Sequence, residues 1–358
     1  MHYLGFTTLN FDVLVTTPPA LSGARVAADV ARTLNAGFTS VREMGGYGYV
    51  VRQAIAEGQL VGPNIYSAVA LISQTAGHGD AHGTSLEVMH DACNHGVPMK
   101  LADGVTECRK AVRENIRNGA NVIKIAASGG VLSQVDDPND QQFSDEELAV
   151  IVEEAERAGR IVAAHVHGKK GIMAALRAGC KTIEHGTRLD EEAARLMLEK
   201  GAMLVATSLI MEEGVKHPEL MSPESYAKME ETYAAHTEAY ALAVKMGVKI
   251  ALGTDLGLSK PGHPLSHDND GKELEYAVKA GMTPLQAIEA ATANGPLTLG
   301  PRMAPLSGQI KEGYDADLIV VMGNPLDDIK ILGDAKNVTH VWKGGKLYKS
   351  PGSKGELS

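Results

Sequence analysis

Cysteine is rare and unpatterned in this sequence. Cys93, Cys108 and Cys180 have neither CxxC nor zinc-finger spacing, and an odd count argues against a disulfide framework. Three lone thiols fit a reducing, cytoplasmic setting. Positive charge is also short: 34 Lys and Arg stand against 44 Asp and Glu, with no basic cluster. The resulting net charge of −10 removes nucleic acid and anionic membrane from the expected partners. No apolar run approaches the roughly 20 residues of a bilayer-spanning helix. Residues 1–20 lack a charged segment followed by an apolar stretch, so no signal peptide is expected; one lying upstream of Met1 would escape this reading. Glycine, by contrast, is abundant at 39 residues, which suits tight βα turns and close backbone approach at a site. A chain of 358 residues that is 44% hydrophobic can hold one large domain of about 250 residues and a small appendage.

Helical and strand patterns alternate from residue 20 to residue 300. Residues 23–36 have apolar positions at helical spacing and stop at Gly37, after which 38–41 reads as a strand. The unit recurs as helix 50–57 with strand 64–72, helix 105–118 with strand 121–127, and helix 144–158 with strand 161–166. Helix 170–178 with strand 181–185, helix 190–200 with strand 203–207, and helix 224–246 with strand 248–253 follow. Such units predict a parallel sheet with right-handed crossovers. Seven strands are legible, whereas a closed (β/α)₈ barrel needs eight. The eighth is expected to precede His2, with only its last residues present. Helices at 272–280 and 284–294 follow, and then the pattern changes: 316–321 and 338–347, turning at Gly344-Gly345, read as antiparallel strands without crossover helices. The expected organisation is a barrel over 1–305, strands of a small β-sandwich module over 306–350, and a flexible tail over 351–358. Partner strands for that module are expected from the same missing N-terminal segment.

Six side chains with metal-binding potential close apolar runs: His2, Lys124, His165, His167, His185 and Asp255. The mouth of a barrel is where such groups converge, so a metal site is the leading hypothesis. Lys124 sits between Ile123 and Ile125 on a strand expected to be buried on both faces. It either snorkels toward a barrel carboxylate or, with its pKa depressed by desolvation, adds CO₂ as a neutral amine to give a carbamate that can bridge two metals. His165 and His185 end consecutive strands and read as ligands. His167, two residues further out, reads as a substrate or supporting contact. Asp255 is either an N-cap or a ligand that takes a proton from an activated water. In the loop Gln74–Gly83, His78 is placed to hydrogen-bond a scissile carbonyl, while His82 is as readily structural. Arg42 and Glu43 suggest a buried ion pair, Tyr47 and Tyr49 possible substrate contacts, and the loop carrying His263 and His267 a lid.

Seven stretches carry a resemblance, in order and in context: Thr-Ala-Gly-His-Gly-Asp at 75–80, Val-Ile-Lys-Ile-Ala-Ala-Ser-Gly-Gly at 122–130, Ala-His-Val-His-Gly at 164–168, Glu-His-Gly at 184–186, Leu-Gly-Thr-Asp at 252–255, Ala-Thr-Ala-Asn at 291–294 and Gly-Tyr-Asp-Ala-Asp-Leu-Ile at 313–319. Together they resemble the amidohydrolase superfamily, in its branch of imidazolonepropionase-like and prolidase-like enzymes. The resemblance implies a (β/α)₈ barrel with a small β-sandwich and metal-dependent hydrolysis of an amide bond. It implies two divalent ions, zinc being the expected one, bridged by carboxylated Lys124. His165 and His185 would hold one ion, and Asp255 would be ligand and general base near the other. His2 matches the second histidine of a His-x-His whose first member would immediately precede Met1, so the chain is expected to be a truncated version of a longer protein. His78 and His167 join Asp255 as the expected catalytic residues. The substrate would be an N-acyl amino acid, a dipeptide or an ochratoxin-like aroyl-phenylalanine, and a homo-oligomer is expected. The alternatives are hydrolysis of a cyclic amide, as in imidazolonepropionase, or an inactive barrel that only binds.

Overall fold

A computed structural model describes residues 1–352, so residues 353–358 of the expected tail lie outside the described residues. The chain has an α/β fold with a mostly parallel central sheet. Strands β1 (Ser40–Glu43) and β2 (Asn64–Ser67) form a parallel pair. Seven further strands make one parallel sheet: β3 (Leu71–Ser73), β4 (Met99–Leu101), β5 (Ile123–Ala126), β6 (Val162–Val166), β7 (Thr182–His185), β8 (Met203–Val205) and β9 (Lys249–Ile250). Their order is β4-β3-β5-β6-β7-β8-β9. Every residue of β5, β6, β7 and β8 is buried, as expected for parallel strands covered on both faces.

Hydrogen bonds outside these ladders place the N-terminal stretch. On one side the amide of His2 donates to Leu256 O at 2.7 Å and that of Ser259 to Phe6 O at 2.6 Å. On the other, Met44 N donates to Met1 O at 3.0 Å and Tyr47 N to Tyr3 O at 2.8 Å. Residues 1–6 therefore run between the segment that follows β9 and the end of β1. At the far side of the β1–β2 pair, Asn121 N, just before β5, donates to Ser67 O at 2.8 Å.

The crossover helices follow local rules. Helix Asp145–Arg157 opens with a capping box, in which Ser144 Oγ accepts from Glu147 N and the Glu147 carboxylate accepts from Ser144 N. Helix Lys169–Ala178 stops where Gly179 takes a left-handed φ of 106° that an L side chain would resist. Alternation then sorts the sheet's side chains. Ile123, Ile125, Val162, Ala164, Val166 and Ile183 join the large apolar cluster with the helices, which turns Lys124, Ala163, His165, Thr182 and Glu184 to the opposite face.

Two sequence expectations are corrected. The strand read over 64–72 is two strands, because Val69 adopts a φ of 70° that breaks the run. A further strand, β4, forms at Met99–Leu101, too short for alternation to register. Near the C-terminus, β10 (Leu318–Val321), β11 (Val338–Lys343) and β12 (Lys346–Lys349) make the expected small antiparallel sheet. It packs on helix Pro19–Asn35 through Leu34, Val338 and Val341, while Leu318, Ile319 and Val320 stay exposed. No helix among the described residues is long and apolar enough to cross a membrane.

Candidate active site

The inward face of the parallel strands and the loops at their C-terminal ends enclose one cavity. His2, His78, Lys124, His165, His167, His185 and Asp255 all line it. One ring nitrogen each of His165, His167 and His185 lies within 4.8 Å of the others. The rings interlock: His165 stands edge-on to His167 and His185 at 4.8 and 4.7 Å between centroids, and His167 stacks on His185 at 4.9 Å. His78 stacks on His165 at 4.0 Å. That approach requires Gly130, where a Cβ would fall 1.8 Å from His78 Nδ1.

His185 reaches the cavity by breaking the strand rule. Its position continues the outward parity of Ile183, but a φ of 70° swings it inward. Asp255 and Thr207 share this left-handed conformation, at 57° and 61°. Such strain costs roughly 1–3 kcal/mol per residue and gathers where function fixes the geometry.

Neighbouring hydroxyls orient the imidazoles. Thr207 Oγ1 gives its proton to Ala206 O at 2.5 Å, so its oxygen accepts from His185 Nδ1–H at 2.7 Å. The lone pair of His185 Nε2 is left for the cavity. His167 Nδ1 lies 2.7 Å from Thr187 Oγ1, which fixes the ring's orientation. Burial holds all of these imidazoles below their ordinary range, with neighbouring rings adding to it for His165 and His167; His78 is pushed down to about 4 and His185 to about 3. They are neutral at pH 7 and present lone pairs.

Lys124 is 3% exposed, and none of the described residues accepts a hydrogen bond from its Nζ. Burial lowers its pKa, a shift that the Glu184 and Asp255 carboxylates partly oppose. Across the cavity, His2 Nδ1–H donates to Gly45 O at 2.7 Å, which leaves the Nε2 lone pair of a neutral ring facing Asp255 Oδ1 at 3.1 Å. Two acceptors at that distance call for a second proton on His2 or a cation between them. Burial alone would raise the Asp255 carboxyl, but the positive charge that His185 and His2 carry when protonated outweighs it and lowers the carboxyl below its ordinary range, so Asp255 is ionised at neutral pH. Neutral imidazoles, a carboxylate and an unbonded lysine in one pocket suit a divalent cation.

Several expectations change. Arg42 does not pair with Glu43, because adjacent strand residues point to opposite faces. Arg42 Nη2 instead donates to both oxygens of Glu184 at 2.7 and 2.9 Å, and Glu43 accepts from Ser67 Oγ and from Gly48 N. Tyr47 and Tyr49 are not among the cavity residues; Tyr47 packs with Tyr3 and Val51. His267 is no lid residue but fully buried, 5.0 Å from the Tyr3 ring, and His82 Nδ1 only accepts from Val135 N. The apolar wall, made by Leu9, Phe11, Leu132, Ile210, Met211 and Met229, was not legible, since an apolar residue in a loop or helix carries no chemical signature.

Comparison with known proteins agrees with this geometry. The profile of the amidohydrolase family matches residues 2–348. Ochratoxinase of Aspergillus niger is 52% identical over 365 residues, covering 98% of this chain and 74% of its own. The crystal structure of A. niger ochratoxinase superposes with a TM-score of 0.89 at 48% identity, over 98% of this chain and 82% of that one. A prolidase complexed with N-methylphosphonate-L-proline superposes with a TM-score of 0.89 at 36% identity, over 98% of this chain and 85% of the prolidase.

Proposed function

The chain belongs to the amidohydrolase family and is a hydrolase acting on amide bonds, and on that premise we propose metal-dependent cleavage of an N-acyl amino acid or dipeptide with a bulky apolar group. The observation that carries this is the meeting of three neutral imidazoles, Lys124, and the His2–Asp255 pair in one apolar-walled cavity. Residues 1–6 with β1, β2, β5, β6, β7, β8 and β9 would be the eight staves of a (β/α)₈ barrel around it. His165 and His185 would hold one divalent ion of the zinc class, His2 and Asp255 the other, and carboxylated Lys124 would bridge them. Bound ions of this kind polarise the scissile carbonyl and make water acidic enough to attack at neutral pH.

The protein's own groups do the rest. Asp255, ionised, takes the proton of the attacking water and delivers it to the leaving nitrogen. Ser133 Oγ lies 2.9 Å from His78 Nδ1 and 3.3 Å from Gly130 O; if its single proton goes to the ring rather than to the carbonyl, His78 keeps its own proton on Nε2 for the developing oxyanion. His167, oriented by Thr187, faces the same space and fixes the acyl group. Phe11, Met211 and Met229 exclude water and favour an aromatic or large aliphatic side chain. Similarity to an ochratoxinase and to a prolidase supports this substrate range, from an ochratoxin-like amide to a proline-containing dipeptide.

The test is metal content and amino-acid release from a panel of N-acyl amino acids and dipeptides, for the parent and Lys124→Ala. About two ions per chain in the parent, with ions and hydrolysis both lost in the variant, is expected. An unchanged rate in Lys124→Ala would sink the bridged-metal reading.

A further inference from the structure

Outside the cavity, two loops bring a second set of ligand-type side chains together. His217 and Glu219 lie at the turn around Pro218–Leu220, and His263 lies in the Pro-Gly-His-Pro loop that follows Asp255. One ligand atom of each is within 4.8 Å of the others, and none of the three lines the cavity. His217 Nδ1 and Glu219 Oε1 are 3.0 Å apart, near the ~3.3 Å between two ligands of a tetrahedral ion with bonds of about 2.0 Å. The His217 and His263 rings meet at 4.5 Å between centroids, tilted by 57°.

A surface His–Glu ion pair would need only one imidazole. The second ring, 46 positions away in the sequence, adds like charge to that pair whenever both rings are protonated. Its arrival is better explained by a shared lone-pair acceptor. Burial, then the charges of His217 and Lys260, keeps the His263 imidazole below its ordinary range, so it offers a lone pair at neutral pH. Leu265 N–H engages His263 Nδ1 only at 3.2 Å, a contact that costs little to exchange.

We propose that His217, Glu219 and His263 bind one divalent transition-metal ion, with water as the fourth ligand, and that this ion ties two loops together at the rim of the cavity. The ion takes the place of the proton that His217 shares with Glu219. Both loops adjoin the cavity wall. Leu220 O accepts from Leu9 N at 2.8 Å and from Thr8 Oγ1 at 2.6 Å, and Leu9 lines the cavity. Helix Ser208–Gly214, which supplies Ile210 and Met211, runs directly into His217, and Gly257 begins the His263 loop. The site does not depend on the catalytic reading.

The experiment is equilibrium dialysis of the full chain and of His217→Ala/His263→Ala against micromolar Zn²⁺, followed by elemental analysis; ions at the central site cancel in the difference. The parent should retain one more zinc per chain than the double variant, and zinc should slow proteolysis of the 215–222 loop in the parent alone. Glu219→Gln should need roughly tenfold more zinc for the same occupancy. Thermal unfolding in chelator checks that the variants fold, and if the alanine pair does not, His217→Gln/His263→Gln takes its place. Equal zinc in the parent and a folded double variant overturns the proposal.

Discussion

Thr207 shows how much of the site rests on residues that never touch a substrate. It sits at a φ of 61°, its hydroxyl proton goes to Ala206 O, and its oxygen accepts from His185 Nδ1–H. Thr207→Val keeps the β-branched shape, and so the strain, but leaves a buried imidazole N–H without an acceptor. Loss of such a partner should lower metal affinity or kcat/KM by about 10–100-fold and cost about 1–3 kcal/mol of stability. Thr207→Ser should stay within a few-fold of the parent. Steady-state hydrolysis, with chelator competition for the metal, checks this; a fully active Thr207→Val would show that the tautomer is set elsewhere. The histidines themselves were legible because a polar residue closing an apolar run is conspicuous. Thr187 and Thr207 were not, since a hydroxyl in a loop forms no pattern until the fold brings a ring to it.

At the scale of elements, a largely buried charge pair ties together strands that lie far apart in the chain. Arg42 on β1 reaches Glu184 on β7 with two hydrogen bonds, and Thr182 Oγ1 donates to the same carboxylate at 2.6 Å. The sequence suggested Arg42 with Glu43, because adjacency is visible there and a partner 142 residues away is not. Strand parity, once known, forbids the neighbour and allows the distant residue. The same limit hid the break at Val69 and the short β4, whereas the helix–glycine–strand repeat was legible because each unit is closed by local capping. Arg42→Met leaves Glu184 buried without its main counter-charge and should destabilise the fold by about 3–5 kcal/mol. Arg42→Met/Glu184→Leu should recover much of that loss. Urea unfolding of the parent, both single variants and the double variant gives the coupling energy; additive losses would mean that the pair carries no coupling.

For the whole molecule, buried titratable groups make stability depend on pH. Burial pushes His78 and His236 down to about 4, and His185 and His267 down to about 3, from an ordinary value of 6.5. Their contribution is present above pH 6.5 and is lost as pH falls through 4 and 3, because the unfolded chain takes up protons that the folded one refuses. Two buried acids work in the other direction: burial raises Asp270 to about 7 and Glu273 to about 8, so their contribution is complete at low pH and fades as pH rises through those values. Each proton of difference is worth about 1.4 kcal/mol per pH unit. The histidines outweigh the two acids on the acid side, whereas above pH 6.5 the acids work against the buried Met1 amine and Lys124, whose lowered pKa values favour folding as pH rises. Metal-stripped protein should therefore lose stability steeply from about pH 6.5 toward pH 4 and follow a much flatter course toward pH 8. His236 gives the cleanest check, because its Nε2 meets only Ser208 Oγ at 3.0 Å while its Nδ1 has no partner. His236→Gln keeps a group able to reach that hydroxyl and removes one titrating site. The pH dependence of urea-unfolding free energy between pH 4 and 6 should then flatten by about one proton. An unchanged slope would mean that His236 is protonated as readily in the folded protein as in the unfolded one, and that burial there does not exclude water.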